Sequence, residues 1–221
     1  MHDVDITTRN ASDFYTVVNM LRIIGGEFRS RKLASPPGAD VTRPMASRAK
    51  ESIFNLLRGW FEDANVIDLF AGVGTMGLEA VSRGAKQVLL VEQSRPVFRI
   101  LQENIETLGC GDRATAVQGD ALSPTVLLRA PKPVHVMFID PPYEMMRNDE
   151  DRERLFAQIR AAREILAEKS FVVLRSPGLK HEPSLRIDGF EGPETHRYGS
   201  DMLVHLYMPV TRSDAEVESR S

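Results

Sequence analysis

Along this 221-residue chain the rhythm of apolar and polar positions changes near Ala64. Upstream, "LRIIGGEFRSRKLASP" from Leu21 to Pro36 holds two short apolar-containing runs about Gly25 and Gly26, the pattern of a β-hairpin, and "PPGAD" reads as a loop. "SRAKESIFNLLRGWF" then sets Ile53, Phe54, Leu56, Leu57 and Trp60 at helical spacing behind a start at Ser47, which predicts a helix with one apolar face. Downstream, strand and helix patterns alternate. "NVIDLF" predicts a strand and "TMGLEAVSRGA" a helix ending at Gly84; "QVLLVEQ" predicts a strand and "RPVFRILQENIETLG" a helix ending at Gly109. "RATAVQGDA" reads as a strand with a short helix after it, and "VHVMFIDPPY" as a strand ending on a double proline. "DEDRERLFAQIRAAREIL" predicts a helix, "SFVVLRS" a strand, and two more strand-like runs lie between Leu185 and Met208.

Such alternation predicts an α/β fold, a doubly wound, mostly parallel sheet covered on both faces, with the ligand crevice at the carboxyl ends of the central strands. The closing strand–turn–strand predicts an antiparallel C-terminal edge. Four segments follow: a polar extension over 1–20, a basic hairpin and helix over 21–60 appended to the core, the main α/β domain over 61–210, and a polar tail over 211–221. Met20 is a candidate start of the folded part.

Composition narrows the class. With 42% hydrophobic and 27% charged residues, the chain can fill one core. No run reaches the ~18–20 apolar residues of a membrane span, and "MHDVDITTRNASDF" is acidic where a signal peptide is basic and then apolar, so a soluble cytoplasmic protein is expected. Cys110 is the single cysteine and sits in "LGCGD" at a helix end, a structural place; the five histidines lack metal-ligand spacing, so no metal is expected. The net charge of −3 conceals an asymmetry. Between Leu21 and Lys50, the basic residues Arg22, Arg29, Arg31, Lys32, Arg43, Arg48 and Lys50 face only Glu27 and Asp40. That is the footprint of a face that meets phosphate, although a solvated surface hairpin has the same composition.

Candidate chemistry collects at the strand ends. The first strand ends at Asp68, and "FAGVG" with Gly77 gives the spacing G-x-G-x-x-G, in which Gly72 and Gly74 let backbone approach a ligand. The second strand ends at Glu92, about 20 residues past the turn, where a carboxylate can accept both ribose hydroxyls. Gly119 and Asp120 end the third strand, within reach of an adenine amine. To this point a dinucleotide and S-adenosylmethionine fit equally. "IDPPY" at the end of the fourth strand separates them. Asp140 and Pro141 each precede a proline, so the backbone is stiff and extended, presenting the Asp140 carboxylate and the Pro141 carbonyl as two acceptors beside the Tyr143 ring. Two acceptors suit an exocyclic amine that must turn its lone pair toward an electrophile, and hydride transfer has no use for them. Amine methylation by a sulfonium donor is the chemistry expected.

These residues also carry a resemblance. "DPPY" together with "DLFAGVGTMGLEAVSRGA" resembles the class I S-adenosylmethionine-dependent amino-methyltransferases, a Rossmann-like fold. With "RIIGGEFRSRKL", "TRPMASRAKESIFNLL" and "RYGSDMLVHLY" added, the chain from about Leu21 to Met208 resembles the bacterial 16S ribosomal RNA (guanine(966)-N(2))-methyltransferase family. The resemblance implies S-adenosyl-L-methionine held by Asp68, Phe70, Gly72, Gly74, Glu92, Gln93, Asp120 and Ala121, with Thr42 and Arg43 over the pocket. It implies catalysis at Asp140, Pro141, Pro142 and Tyr143, and a grip by Arg22, Arg29, Arg31 and Lys32 on 16S ribosomal RNA within a small-subunit particle. Met45, Ala46 and Ser47 depart from the threonines or aspartate expected after "TRP" and weaken any polar contact there. Adenine-N6 methylation of nucleic acid, and a non-catalytic RNA-binding role in ribosome assembly, remain as rivals.

Overall fold

The computed structural model describes residues 21–36, 44–178 and 184–210. Five parallel strands form the body of one sheet: β1 (Asn65–Asp68), β2 (Gln87–Glu92), β3 (Ala114–Gln118), β4 (Val134–Ile139) and β5 (Leu166–Pro177). An antiparallel pair, β6 (Phe190–Tyr198) and β7 (Met202–Pro209), closes the edge through β7 against β5. The order is β3-β2-β1-β4-β5-β7-β6. The chain winds outward from β1 to β3 and then returns to pair β4 on the other side of β1, so the direction of winding reverses between β1 and β4. Their carboxyl ends border the crevice that this topology provides.

The helices are α1 (Pro44–Leu56), α2 (Gly77–Ser82), α3 (Arg95–Leu108), α4 (Pro124–Leu128), α5 (Tyr143–Arg147) and α6 (Asp149–Ala162). Side-chain alternation along the strands divides the core into two layers. Val66, Val88, Leu90, Val136, Phe138 and Val173 pack on the face covered by α1, α2, α3 and the segment from Leu21 to Leu33. Ile67, Leu89, Val91, Met137, Ile139, Val172 and Leu174 pack on the face covered by α4, α5 and α6. Both faces are buried, which is why these strands are continuous apolar runs.

Local chemistry sets the helix limits. Gly109 adopts φ 68°, the left-handed conformation that ends α3, and α3 buries Leu101, Asn104, Ile105 and Leu108 at helical spacing. At α6, the Asn148 side chain accepts from the Asp151 N–H at 3.0 Å, and Asp149, Glu150 and Asp151 place negative charge in the first turn.

Three expectations from the pattern change in detail. The N-terminal segment forms a single antiparallel bridge, Arg22 to Lys32, around a turn, and Gly25–Gly26 are its docking point on α2 rather than a hairpin apex. Leu56, expected on the apolar face of α1, is exposed, whereas Phe54 is fully buried among Phe61 and Phe138. The helix expected to run to Leu166 stops at Ala162, because the Ile165 carbonyl accepts the Val134 N–H at 2.8 Å and Leu166 already pairs with Val134 in the sheet.

Candidate active site

Glu92, Asp120 and Asp140, at the carboxyl ends of β2, β3 and β4, meet around one cleft of about 660 Å³. The turn after β1 opens it. Gly72 has φ +55°, a conformation that favours glycine, and a Cβ there would stand in open space at the cleft wall. The turn is braced from β2: the Glu92 carboxylate accepts the Gly72 N–H at 3.0 Å and the Ser94 N–H at 2.6 Å. Phe70, Gln93, Asp120 and Ala121 line the same cleft, and Asp120 Oδ1 accepts from the Leu122 N–H at 2.9 Å.

Asp68 differs. Its side chain is 1% exposed, and Oδ2 accepts the Gly77 N–H at 2.9 Å, capping the start of α2 beneath the glycine turn. It does not line the cleft, and neither does Gly74. Among the described residues Oδ1 has no hydrogen-bond partner, and burial pushes the carboxyl up to about 7, with Asp140 and Glu92 adding to the rise.

At the end of β4, Asp140, Pro141, Pro142 and Tyr143 form the opposite wall. Phe138, two residues earlier, stacks with Phe61 at 6.2 Å and packs on Phe54 at 5.6 Å, anchoring the strand end in the core. Asp140 Oδ1 pairs with Arg175 Nε from the neighbouring strand β5. Burial raises the pKa of the Asp140 carboxyl, and the Arg175 guanidinium pulls it back down. Tyr143 is flanked by two cations, with the Arg175 and Arg147 Cζ atoms 5.6 and 5.9 Å from its ring centroid. Met145, Asp201 and Met202 complete this side of the cleft.

Sequence reasoning passed over Arg175, whose signal was a single cation in the apolar run "VVLRSP". It also passed over the polar brace under the site. Glu79, fully buried on α2, accepts the backbone N–H groups of Ile24 at 2.7 Å and Gly25 at 2.8 Å and pairs with Lys50 at 3.0 Å and Arg83 at 2.9 Å. Ser82 accepts the Phe28 N–H at 2.8 Å and donates to the Gly25 carbonyl at 2.6 Å. Buried Asn104 of α3 bonds both backbone groups of Ala34 and the Val73 carbonyl, tying the N-terminal segment to the glycine turn. "RIIGG" and "GLEAVSRG" are thus two halves of one joint.

The basic cluster is partly committed to the fold. Arg29 and Lys32 are exposed, while Arg31 donates to the Thr107 carbonyl at 2.8 Å and Arg22 to the Ser30 carbonyl at 3.1 Å. Lys50 is nine-tenths buried in its pair with Glu79, and burial lowers its pKa, so it belongs to the joint. Thr42 and Arg43 lie outside the described residues. Cys110 is buried, its thiol pushed up to about 11, as expected of a structural cysteine.

A 3-2-1-4-5-7-6 sheet with a glycine turn after β1, a carboxylate ending β2 and a proline-stiffened acid ending β4 defines the class I methyltransferase fold. Residues 21–207 match the family described as Conserved hypothetical protein 95, and the chain belongs to it. It is 41% identical over 123 residues to the ribosomal RNA small subunit methyltransferase D of Escherichia coli (strain K12), covering 56% of this chain and 60% of that protein. To the protein of the same name from Haemophilus influenzae it is 35% identical over 127 residues, covering 56% and 64%. The matches thus span less than two thirds of the length of these curated relatives. The solved structure of Escherichia coli yhhF covers 87% of this chain and 99% of its own, at 30% identity and a TM-score of 0.70.

Proposed function

We propose that the protein methylates the exocyclic N2 of a guanine in small-subunit (16S) ribosomal RNA, using S-adenosyl-L-methionine in the cytoplasm. The observation that carries this reading is the Asp140-Pro-Pro-Tyr143 wall standing across one cleft from the glycine turn and Glu92. The family, and the names of its relatives, support the substrate class.

The residues present fit the cofactor. Gly72 leaves the wall open where a side chain would intrude, and Glu92 and Asp120 offer carboxylates to a ribose and an adenine amine. Phe70, Gln93 and Ala121 would complete that half, with Asp68 supporting the turn from below and Gly74 within it. The chemistry supplied when S-adenosylmethionine is bound is an electrophilic methyl group on a sulfonium sulfur, whose bonding pair stays with sulfur as the new N–C bond forms.

The chain's own residues prepare the amine. Asp140 Oδ1 is held by Arg175, which assigns Oδ2 and the Pro141 carbonyl to the two N–H bonds of the guanine amine. Both acceptors draw the nitrogen out of conjugation with the ring. The proton lost from N2 after methylation passes to the Asp140 carboxylate or to water, and because the methylated ammonium is acidic a strong base is unnecessary. Tyr143 offers its face to a base turned out of the RNA, and stacking of that kind contributes about 1–3 kcal/mol. Arg29 and Lys32, with Arg22 and Arg31, present positive charge to the RNA phosphates.

Asp140→Asn tests this assignment. Turnover should fall at least about 100-fold while cofactor affinity, read by calorimetry, stays near that of the parent protein. Undiminished turnover with the cofactor still bound removes Asp140 from the reaction.

A further inference from the structure

Arg175 sits where nothing in the sequence motif requires a cation. It projects from β5, pairs with Asp140 Oδ1 through Nε, and places its guanidinium 5.6 Å from the Tyr143 ring centroid. With Asp140, it also borders a second, mainly apolar cavity of about 290 Å³ under the N-terminal segment, lined by Leu21, Ile53, Met76 and Phe138. Arg175 and Asp140 therefore form the partition between the two cavities. A carboxylate alone at this border could turn either oxygen toward either side.

We infer that Arg175 is a positioning residue for amine methylation: by occupying Asp140 Oδ1 and bracing Tyr143, it aims Oδ2 and the aromatic face into the cleft. The inference rests on the reading of the cleft given above. The pair is an ion pair through Nε, and Nε lies within the rigid planar guanidinium, so the geometry it offers a carboxylate is defined to a degree that a lysine ammonium, with three rotatable donors, cannot match. Its strand neighbours keep it there: Leu174 is fully buried, and Arg175 is in register with Val204 of β7.

The charge of Arg175 has a second consequence. Burial works against ionisation of Asp140 and the guanidinium works for it. The other groups that face this acid differ in sign: Asp68 lies beneath it from β1, Glu92, Asp120 and Asp201 share the cleft, and Arg22 and Lys50 border the apolar cavity. Among the described residues, Arg175 is the cation in direct contact. Removing it raises the pKa of Asp140 further and shifts the acid limb of the rate profile to higher pH.

The test compares the parent protein with Arg175→Met and Arg175→Lys. Steady-state methylation is measured from about pH 5 to 9, and the Asp140 carboxyl is titrated by carbon-13 NMR. For Arg175→Met, kcat should fall by about 10-fold or more with little change in cofactor KM, and both the acid limb and the carboxyl titration should move up in pH. Arg175→Lys should restore the titration while recovering kcat only in part, a split that a purely structural role does not produce. Unchanged kcat and titration in Arg175→Met would overturn the inference. So would faster turnover or a lower KM for RNA, which would make Arg175 a competitor of the incoming base. If the parent protein transfers no methyl group, the functional reading fails, while the NMR titration still decides whether Arg175 governs the Asp140 carboxyl.

Discussion

Replacing Glu79 strikes the joint between the N-terminal segment and the α/β body. Its carboxylate holds four donors at 2.7–3.0 Å: the Ile24 and Gly25 N–H groups, Lys50 Nζ and Arg83 Nε. In Glu79→Ala, Lys50 remains nine-tenths buried with its charge uncompensated, and two backbone donors lose their acceptor. Breaking a buried pair from one side costs about 3–5 kcal/mol, a large share of the roughly 5–15 kcal/mol that holds a domain together. For a chain of this size the melting temperature should fall by about 6–20 °C. Equilibrium urea unfolding gives the free energy, and hydrogen exchange at Ile24, Gly25, Glu27 and Phe28 reports whether the segment leaves α2. The charge argument is separated by a double-mutant cycle. Glu79→Gln should be strongly destabilising alone, and Lys50→Met added to it should recover part of the loss, since the desolvated cation is then gone. A loss below about 1 kcal/mol in Glu79→Ala, or a strictly additive cycle, would refute the account of this joint.

Other expectations follow from the same geometry. Asp68 holds its proton more tightly folded than unfolded, up to about 7, so its contribution to stability is full below about pH 4 and is lost as pH rises toward 7. Asp68→Asn should flatten that fall, a difference of at most about 4 kcal/mol in urea unfolding across pH 4 to 8, and an unaltered slope would count against it. Gly26→Ala should cost about 3 kcal/mol or more, because Gly26 has φ +75° and the new Cβ would lie 1.7 Å from the Ser82 carbonyl oxygen. Gly119→Ala, with open space at its Cβ, should leave the melting temperature nearly unchanged, and equal losses in the two variants would contradict the close-approach argument.

The layered fold was legible because β1, β2, β4 and the second half of β5 are buried on both faces and announce themselves as apolar runs, while glycine or asparagine marks the helix limits. That Glu92, Asp120 and Asp140 share one cleft was legible for a topological reason: parallel strands deliver their carboxyl ends to one rim. Asp68 shares that spacing yet turns under the rim, and only the three-dimensional path of the α2 N-terminus reveals it as a cap. The joint made by Glu79, Lys50 and Ser82 was hidden because its partners lie about 30 to 57 residues apart, joined by a buried ion pair and by side chain–backbone bonds, relations that periodicity does not encode. Arg175 was hidden for a similar reason. A lone arginine in a strand has no local signature until its neighbour across the sheet is known.

The central claim is that the Asp140-Pro-Pro-Tyr143 wall presents a guanine amine to a methyl donor. Its most direct test is incubation with isotopically labelled S-adenosylmethionine and small-subunit ribosomal RNA or particles lacking the modification, followed by digestion and mass identification of the labelled nucleoside. The account predicts N2-methylguanosine. N6-methyladenosine, or no labelled nucleoside from protein that binds the cofactor, would contradict it.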